Sequence, residues 1–402
     1  MKKLEKSVPV IRFKGFSDAW EQRKLGEDVN FLNGRAYSQK ELLDKGKYKV
    51  LRVGNFNTND RWYYSDLELE ENKYANRGDL LYLWATNFGP EIWNQEKVIY
   101  HYHIWKLKIM NINVSKQYLY TWLITDKERI KQSTNGTTMV HVTKGHIEQR
   151  EFQIPPNLTE QQKIGTFFKQ LDDTIALHQR KLDALKLMKK AFSQQIFPEN
   201  NRKKPKIRFT SFYEEWEQRK IGEYGYFYYG KSAPKWSVAQ DATTPCVRYG
   251  ELYTKFGPEI DIVHSYTNID KSNLKFSSGN EVLVPRVGEN PLDFANCSWL
   301  SISNVAIGEM ISVYNTEQYP LFIAYYFRSK MKYEFAKRVE GGNVSNLYYS
   351  YLEDILISVP SIEEQKKIAE FLNKIDITIN LLQNKLGRIK ELKKAYLQNM
   401  FI

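Results

Sequence analysis

The chain has 402 residues, two to three times the usual domain size, so two or three domains with separate cores are expected rather than one compact body. Its 59 Lys and Arg against 47 Asp and Glu give a net charge of +12, which points to a polyanionic partner such as nucleic acid or a membrane surface. Two cysteines, Cys246 and Cys297, exclude a disulfide framework and a cysteine-rich zinc site and fit a reducing cytosol, while 14% aromatic residues exclude a disordered chain. Met1 to Arg12 is basic without an apolar run behind it, and no stretch approaches about eighteen uninterrupted apolar residues, so neither a targeting segment nor a membrane span is expected.

The first element is one that returns. Ile11 to Glu27 (IRFKGFSDAWEQRKLGE) recurs as Ile207 to Glu223 (IRFTSFYEEWEQRKIGE) at an offset of 196, with 11 of 17 positions identical. After the first copy comes a region of mixed α/β character. Asp79 to Leu83, Lys97 to Tyr102 and Ile104 to Ile109 read as short strands bounded by Gly, Asn and Pro, and Gln117 to Ile124 reads as helix. His101-Tyr102-His103 reads as one strand with both imidazoles on one face, because no H-E-x-x-H or C-x-x-C accompanies it to suggest a metal site.

Next comes a second repeated block. Glu160 to Phe197 aligns without gaps on Glu364 to Phe401, with 18 of 38 residues identical. Ile164, Phe168, Leu171, Ile175, His178, Leu182 and Leu185 alternate four and three residues apart, and Ile368, Leu372, Ile375, Ile379, Leu382, Leu386 and Ile389 repeat that register. The spacing is a coiled-coil seam, and two helices of about ten turns are expected to pair with each other. Pro155, Pro156 and Pro360 mark helix entry, with Thr159 and Ser361 as candidate N-caps. Lys189, Lys190, Lys393 and Lys394 read as solvated helix ends whose charge opposes the macrodipole. Pro198 to Lys206 (PENNRKKPK) reads as a linker, and in the second variable region Glu281 to Val284 reads as strand and Pro320 to Phe327 as helix.

Two motifs that suggest catalysis fail on context. Gly225 to Ser232 (GYFYYGKS) fits the P-loop pattern, but Ala233, Pro234, Lys235 and Trp236 start a helix poorly, and the matching Val29 to Ala36 (VNFLNGRA) lacks the first glycine. What the halves share there is Gly34-Arg35 and Gly230-Lys231, a glycine followed by a cation. Asn290 to Phe294 (NPLDF) lacks the second proline and the stacking aromatic of the N-P-P-Y tetrapeptide of amino-methyltransferases, and no G-x-G occurs for a dinucleotide or S-adenosylmethionine site.

With these residues in hand, the chain resembles the specificity subunit of bacterial type I restriction-modification enzymes. The resemblance rests on W-E-x-x-K-x-G-E at Trp20 to Glu27 and Trp216 to Glu223, on a proline shortly before E-Q-x-K-I at Glu160 to Ile164 and Glu364 to Ile368, and on the long helices that follow. It covers the whole chain. It implies an α+β fold with two mixed α/β target recognition domains, residues 1–155 and 207–359, joined by two long helices, residues 156–197 and 360–402, with a linker at 198–206. The helices would form an antiparallel intramolecular coiled coil with pseudo-two-fold symmetry. Each domain would read one half of a bipartite double-stranded DNA target, while the helices set the spacing and dock two modification (methyltransferase) subunits. Restriction subunits with translocase and nuclease activity would join them. The chain itself would be non-catalytic and cytoplasmic, without cofactor or metal, and its partners would supply S-adenosylmethionine, ATP and Mg chemistry. One departure is polar His178 where the twin helix has Leu382.

Base-edge readout calls for Arg, Lys, Asn, Gln or Ser on loops, with cations nearby for phosphates. On that basis the candidate DNA contacts of the first domain are Arg35, Arg52, Asn55, Asn57, Arg61, Thr86, Asn87, Asn135, Thr137 and Thr138. Those of the second are Lys231, Lys235, Arg248, Tyr249, Arg286, Asn290, Arg338, Asn343, Ser345 and Asn346. Two other readings remain open to the sequence. One is a coiled-coil scaffold with incidental basic charge, which salt-insensitive behaviour toward duplex DNA would favour. The other is a nucleotide-binding enzyme using the Gly225 loop, which nucleotide binding by the isolated chain would favour.

Overall fold

The computed structural model describes residues 8–401 apart from 57–58, 86, 134–140, 200–201, 232 and 240. It divides into two compact units, Met1–Gln179 with Lys385–Ile402, and Arg180–Asn384. Each unit therefore joins one variable region to the start of one long helix and the end of the other.

In the first unit, strand Glu21–Lys24 of the repeated block pairs antiparallel with Glu151–Ile154, which delivers the chain to helix Leu158–Gln195. Between them lie two four-stranded sheets. One has the order Val29–Asn33, Ile104–Ile109, Leu80–Leu83, Gly89–Ile92, and the other Tyr63–Ser65, Tyr48–Leu51, Val98–Tyr100, Tyr74–Ala75. Leu80–Leu83 is buried along its whole length, so its unbroken apolar run reflects cover on both faces. The helix expected over 117–124 runs over Lys116–Ser133 and turns Tyr118, Leu119, Trp122 and Leu123 into the core.

The second unit repeats this plan. Glu217–Lys220 pairs with Leu356–Val359, and the sheets run Gly225–Tyr229, Ile311–Thr316, Glu281–Pro285, Ser298–Leu300, Glu259–Ile260 and Ser265–Thr267, Thr244–Val247, Ser303–Ile307, Phe276–Ser278. A three-stranded ribbon of Val287–Gly288, Ser345–Asn346 and Glu340–Gly341 is added. Variable regions whose sequences do not align thus share a strand order. The P-loop-like segment is the edge strand Gly225–Tyr229, hydrogen-bonded to Ile311–Thr316, and Phe294 of the NPLDF segment is fully buried.

The long helices Leu158–Gln195 and Ile362–Asn399 keep the seam. None of its fourteen positions is exposed, and His178 fits half-buried with Nδ1 against the Thr174 carbonyl at 3.0 Å. The antiparallel sense is visible inside each unit. In the first, Phe167 meets Tyr396 edge-on at 5.1 Å and Phe168 lies beside Phe401; in the second, Phe192 meets Phe371 edge-on at 5.0 Å. Two expectations need correction. Asn157, not Thr159, begins the first helix, its Oδ1 accepting from Thr159 N at 2.9 Å, whereas Ser361 does cap the second through Glu364 N. Lys189 and Lys393 are not merely solvated ends: Lys189 pairs with Asp376, and Lys393 with Asp172, across the helix pair within each unit. Lys190 and Lys394 are exposed. Among the described residues no helix is long and apolar enough to cross a membrane.

Candidate nucleic-acid interface

In each unit one tight turn gathers the cations. In the first it is His101 to His103, closed by Ile104 N donating to His101 O at 3.0 Å. This corrects the expectation of a strand: the strand stops at Tyr100, and the two imidazoles, 4.9 Å apart, sit on the turn. Arg35 N donates to Tyr100 O, His101 N to Leu51 O beside Arg52, and Trp84 N to His103 O. In the second unit Lys231 N donates to Ile307 O, Gly308 N to Val247 O beside Arg248, and Arg286 N to Met310 O. Arg35 and Lys231, Arg52 and Arg248, and Trp84 and Arg286 therefore occupy equivalent places around equivalent turns.

The glycine before each cation is there for space. A Cβ on Gly34 would stand 2.3 Å from His101 O, and one on Gly230 2.1 Å from Gly308 O, so only glycine lets the two backbones approach.

The side chains on this shared frame differ. Arg35 donates to Glu41 at 2.6 Å, and that hydrogen bond, with those from Ser38, holds the Glu41 carboxyl down to about 2. Arg52 lies over Tyr63, 4.3 Å from its centroid, with Nε buried and without a partner among the described residues; Arg61 approaches the same ring at 5.1 Å from an exposed position. Burial, then neighbouring His103 and Arg52, pushes His101 down to about 4. Trp84 anchors its indole on the Tyr102 carbonyl at 2.7 Å and packs against His103 and His141. Trp84, Tyr102 and His141 flank a cleft of about 550 Å³ that Asn33, Gly34 and Lys144 also line.

In the second unit the place of Trp84 is taken by Arg286, whose Cζ lies over the Tyr229 ring at 4.4 Å and the Tyr348 ring at 5.4 Å from their centroids. The next residues, Val287 and Gly288, line a cleft of about 480 Å³ together with Tyr249 and Asn290. Ser345 and Asn346 pair with that same Val287–Gly288 strand, which brings five of the expected residues into one neighbourhood, and Asn343 is exposed just before them. Lys231 and Lys235 are exposed, Lys231 reaching the Ser272 carbonyl at 3.4 Å.

Several expected contacts have structural work instead. Asn55 ties its own loop, accepting from Arg52 N and donating to the Asn59 and Arg61 carbonyls. Asn290 caps the short turn of helix Pro291–Ala295 while its amide donates to Asp293. Arg338 is held by Glu334, and Ser345 is buried. Asn87 is exposed. Asn57, Thr86, Asn135, Thr137 and Thr138 lie outside the described residues. Sequence reasoning missed Trp84, His141, Tyr229 and Tyr348. The signal was the aromatic content itself, since nothing but tertiary packing says which ring faces a cation. Among the described residues no three His, Cys, Asp or Glu side chains are grouped to hold a metal ion.

A duplicated α+β frame carrying different polar chemistry in equivalent slots defines a class of two-part recognition proteins, and comparison with known proteins agrees. Residues 17–187 and 213–391 match the family model for the type I restriction modification DNA specificity domain, and the chain belongs to that family. It is 26% identical over 397 residues to the type I restriction enzyme MjaVIII specificity subunit of Methanocaldococcus jannaschii, covering 93% of this chain and 90% of the relative. It is 24% identical over 405 residues to the putative MjaX specificity subunit of the same organism, covering 93% and 91%. The crystal structure of the type I restriction-modification system S subunit from M. genitalium superposes with a TM-score of 0.66 over 98% of this chain and 99% of that one, at 12% identity. That last likeness speaks to the fold.

Proposed function

We propose that this chain is the subunit that selects the DNA target of a type I restriction-modification complex, with each unit reading one half of a bipartite sequence. The observation that carries the reading is the equivalence of the two turns. The same backbone slots hold Arg35, Arg52 and Trp84 in one unit and Lys231, Arg248 and Arg286 in the other, so the frame is kept while the groups offered to a base edge change. Arg52 and Arg286 are the leading base readers. Exposed Lys231, Lys235 and Arg61 suit phosphates, which accept a cation over a wide range of orientations.

The chemistry then belongs to partners: two modification subunits with S-adenosylmethionine, and restriction subunits with ATP and Mg, assembled in the cytoplasm on a chain that performs no catalysis itself. The paired helices serve as their platform, and their length sets the unread gap between half-targets. Exchange of residues 28–154 for those of a relative tests the reading. The methylated motif of a host carrying the exchanged system should change in one half only. A change in both halves would show that the units do not read independently. Salt titration separates this reading from the scaffold alternative: a phosphate-contacting protein loses duplex affinity steeply as salt rises, and a salt-insensitive chain would favour the scaffold.

A further inference from the structure

We infer that Arg286 is the residue that fixes one base pair of the second half-target, and that the base it selects is guanine; this rests on the target-recognition reading above. Three observations converge. First, the guanidinium lies against two aromatic rings, with Tyr229 and Tyr348 centroids 4.4 and 5.4 Å from Cζ, so its freedom is reduced before any ligand arrives.

Second, its hydrogen-bonding capacity is unspent. In the same unit Arg208, Arg219 and Arg338 end on carboxylates and Arg328 ends on the Cys297 and Gly257 carbonyls. Arg286 makes neither kind of bond among the described residues, and its buried Nε has no partner. With Nε enclosed, the donors left for a ligand are the Nη1/Nη2 pair, two parallel N–H groups of one planar fork. Guanine is the base whose major-groove edge offers two adjacent acceptors, O6 and N7, to that fork.

Third, the equivalent slot in the other unit carries Trp84, which offers no fork and whose indole N–H is already spent on the Tyr102 carbonyl. The slot therefore offers a base a donor fork in one unit and none in the other. A phosphate contact would not require a guanidinium held against two rings, and the exposed Lys231 and Lys235 are better suited to that task.

The test uses the full chain with its modification subunits. Enrichment from a randomised duplex library and methylome sequencing define the wild-type motif. Arg286→Lys keeps a cation on the tyrosines but removes the fork. It should relax selectivity at one guanine of the second half-target by about 5- to 150-fold and leave every other position unchanged. Arg286→Gln should shift the preference at that pair towards adenine, whose N6 and N7 suit an amide. Intact selectivity at the other positions of the second half-target in both variants reports that the second unit is folded. Retained guanine selectivity in Arg286→Lys would overturn the inference, as would a loss of affinity spread evenly over all sequences with a shallower salt slope, which marks a phosphate contact. If the wild-type chain enriched no motif at all, the target-recognition reading would fall and take this inference with it.

Discussion

Arg12 grips Glu160 through two parallel hydrogen bonds, Nε to Oε1 at 2.7 Å and Nη2 to Oε2 at 2.8 Å, and Arg208 grips Glu364 in the same way at 2.8 and 2.7 Å. Each pair ties the start of a repeated block to the first turn of a long helix, with the carboxylate fully enclosed. The neighbouring glutamines complete the joint: Gln161 donates to the Pro155 carbonyl and Gln365 to the Pro360 carbonyl, at 2.8 and 2.9 Å. The near-identity of the repeated blocks thus has a mechanical cause.

Removing Arg12 leaves a buried carboxylate unpaired, so Arg12→Ala should cost the first unit about 3–5 kcal/mol, and Arg208→Ala the second unit a similar amount. The pairs lie in different units, so the double variant should lose the sum. Denaturant unfolding of the full chain, followed by fluorescence, reads the outcome. An Arg12→Ala protein as stable as the parent would show that the helix start is held by packing alone.

Gly34→Ala and Gly230→Ala each place a methyl group within 2.3 Å of a carbonyl oxygen on the opposing strand end. Backbone must shift to relieve this, at a cost of about 1–3 kcal/mol. Because the cation follows directly, the shift moves Arg35 or Lys231 as well. Duplex affinity should fall for the half-target of the altered unit, read by competition with half-site mutants, and a variant with unchanged affinity would separate the glycine from the interface.

His101 is pushed down to about 4, chiefly by burial and then by the His103 and Arg52 charges, and His103 is lowered chiefly by burial and then by His141. A folded-state pKa below the unfolded value of about 6.5 means that the unfolded chain binds more protons between those two values. Stability of the first unit should therefore decline as pH falls from about 6.5 towards 4, and His101→Gln should flatten that slope. Unfolding midpoints across that range check it; a slope untouched by the substitution would place the titration elsewhere.

The helices and the repeated blocks were legible because their signals are local and doubled: the heptad seam reads directly from spacing and the blocks from their constant offsets, whereas the Arg–Glu joint that ties them appears only in the fold. The cation-bearing turns were only half legible. Gly34 and Gly230, and Arg52 and Arg248, keep the offset of 196, but Trp84 and Arg286 stand 202 apart and His101 and Gly308 stand 207 apart. Loops of different length between strands break the alignment where the two interfaces diverge. Backbone hydrogen bonds restore the correspondence, and sequence carries no trace of them. His101 to His103 reads as strand in the sequence for a related reason. Alternating aromatic and imidazole rings fit a pleated strand, yet the chain must turn there to pass from one sheet to the other.

The last prediction concerns the outer surface of the helices. Leu177 is 58% exposed and Leu381 is 64% exposed, and they are equivalent under the offset of 204 that relates the two helix blocks. Met188 and Leu392, related by the same offset, are exposed as well. Leu177 and Met188 are eleven residues apart, about three turns, so they share one face of their helix, and Leu381 and Leu392 do likewise. A single exposed leucine is ordinary on a protein surface, but the same apolar pair on both copies is a repeated feature that invites two identical partners. If the helices serve as the platform proposed above, these faces would receive the two modification subunits. Leu177→Lys and Leu381→Lys touch no core, so each should change stability by no more than about 0.5 kcal/mol. Each should weaken capture of one modification subunit, and the double variant should weaken capture of both while the chain still binds its DNA target. Copurification stoichiometry with tagged modification subunit measures this. A double variant that still assembles with two would place the docking surface away from these leucines.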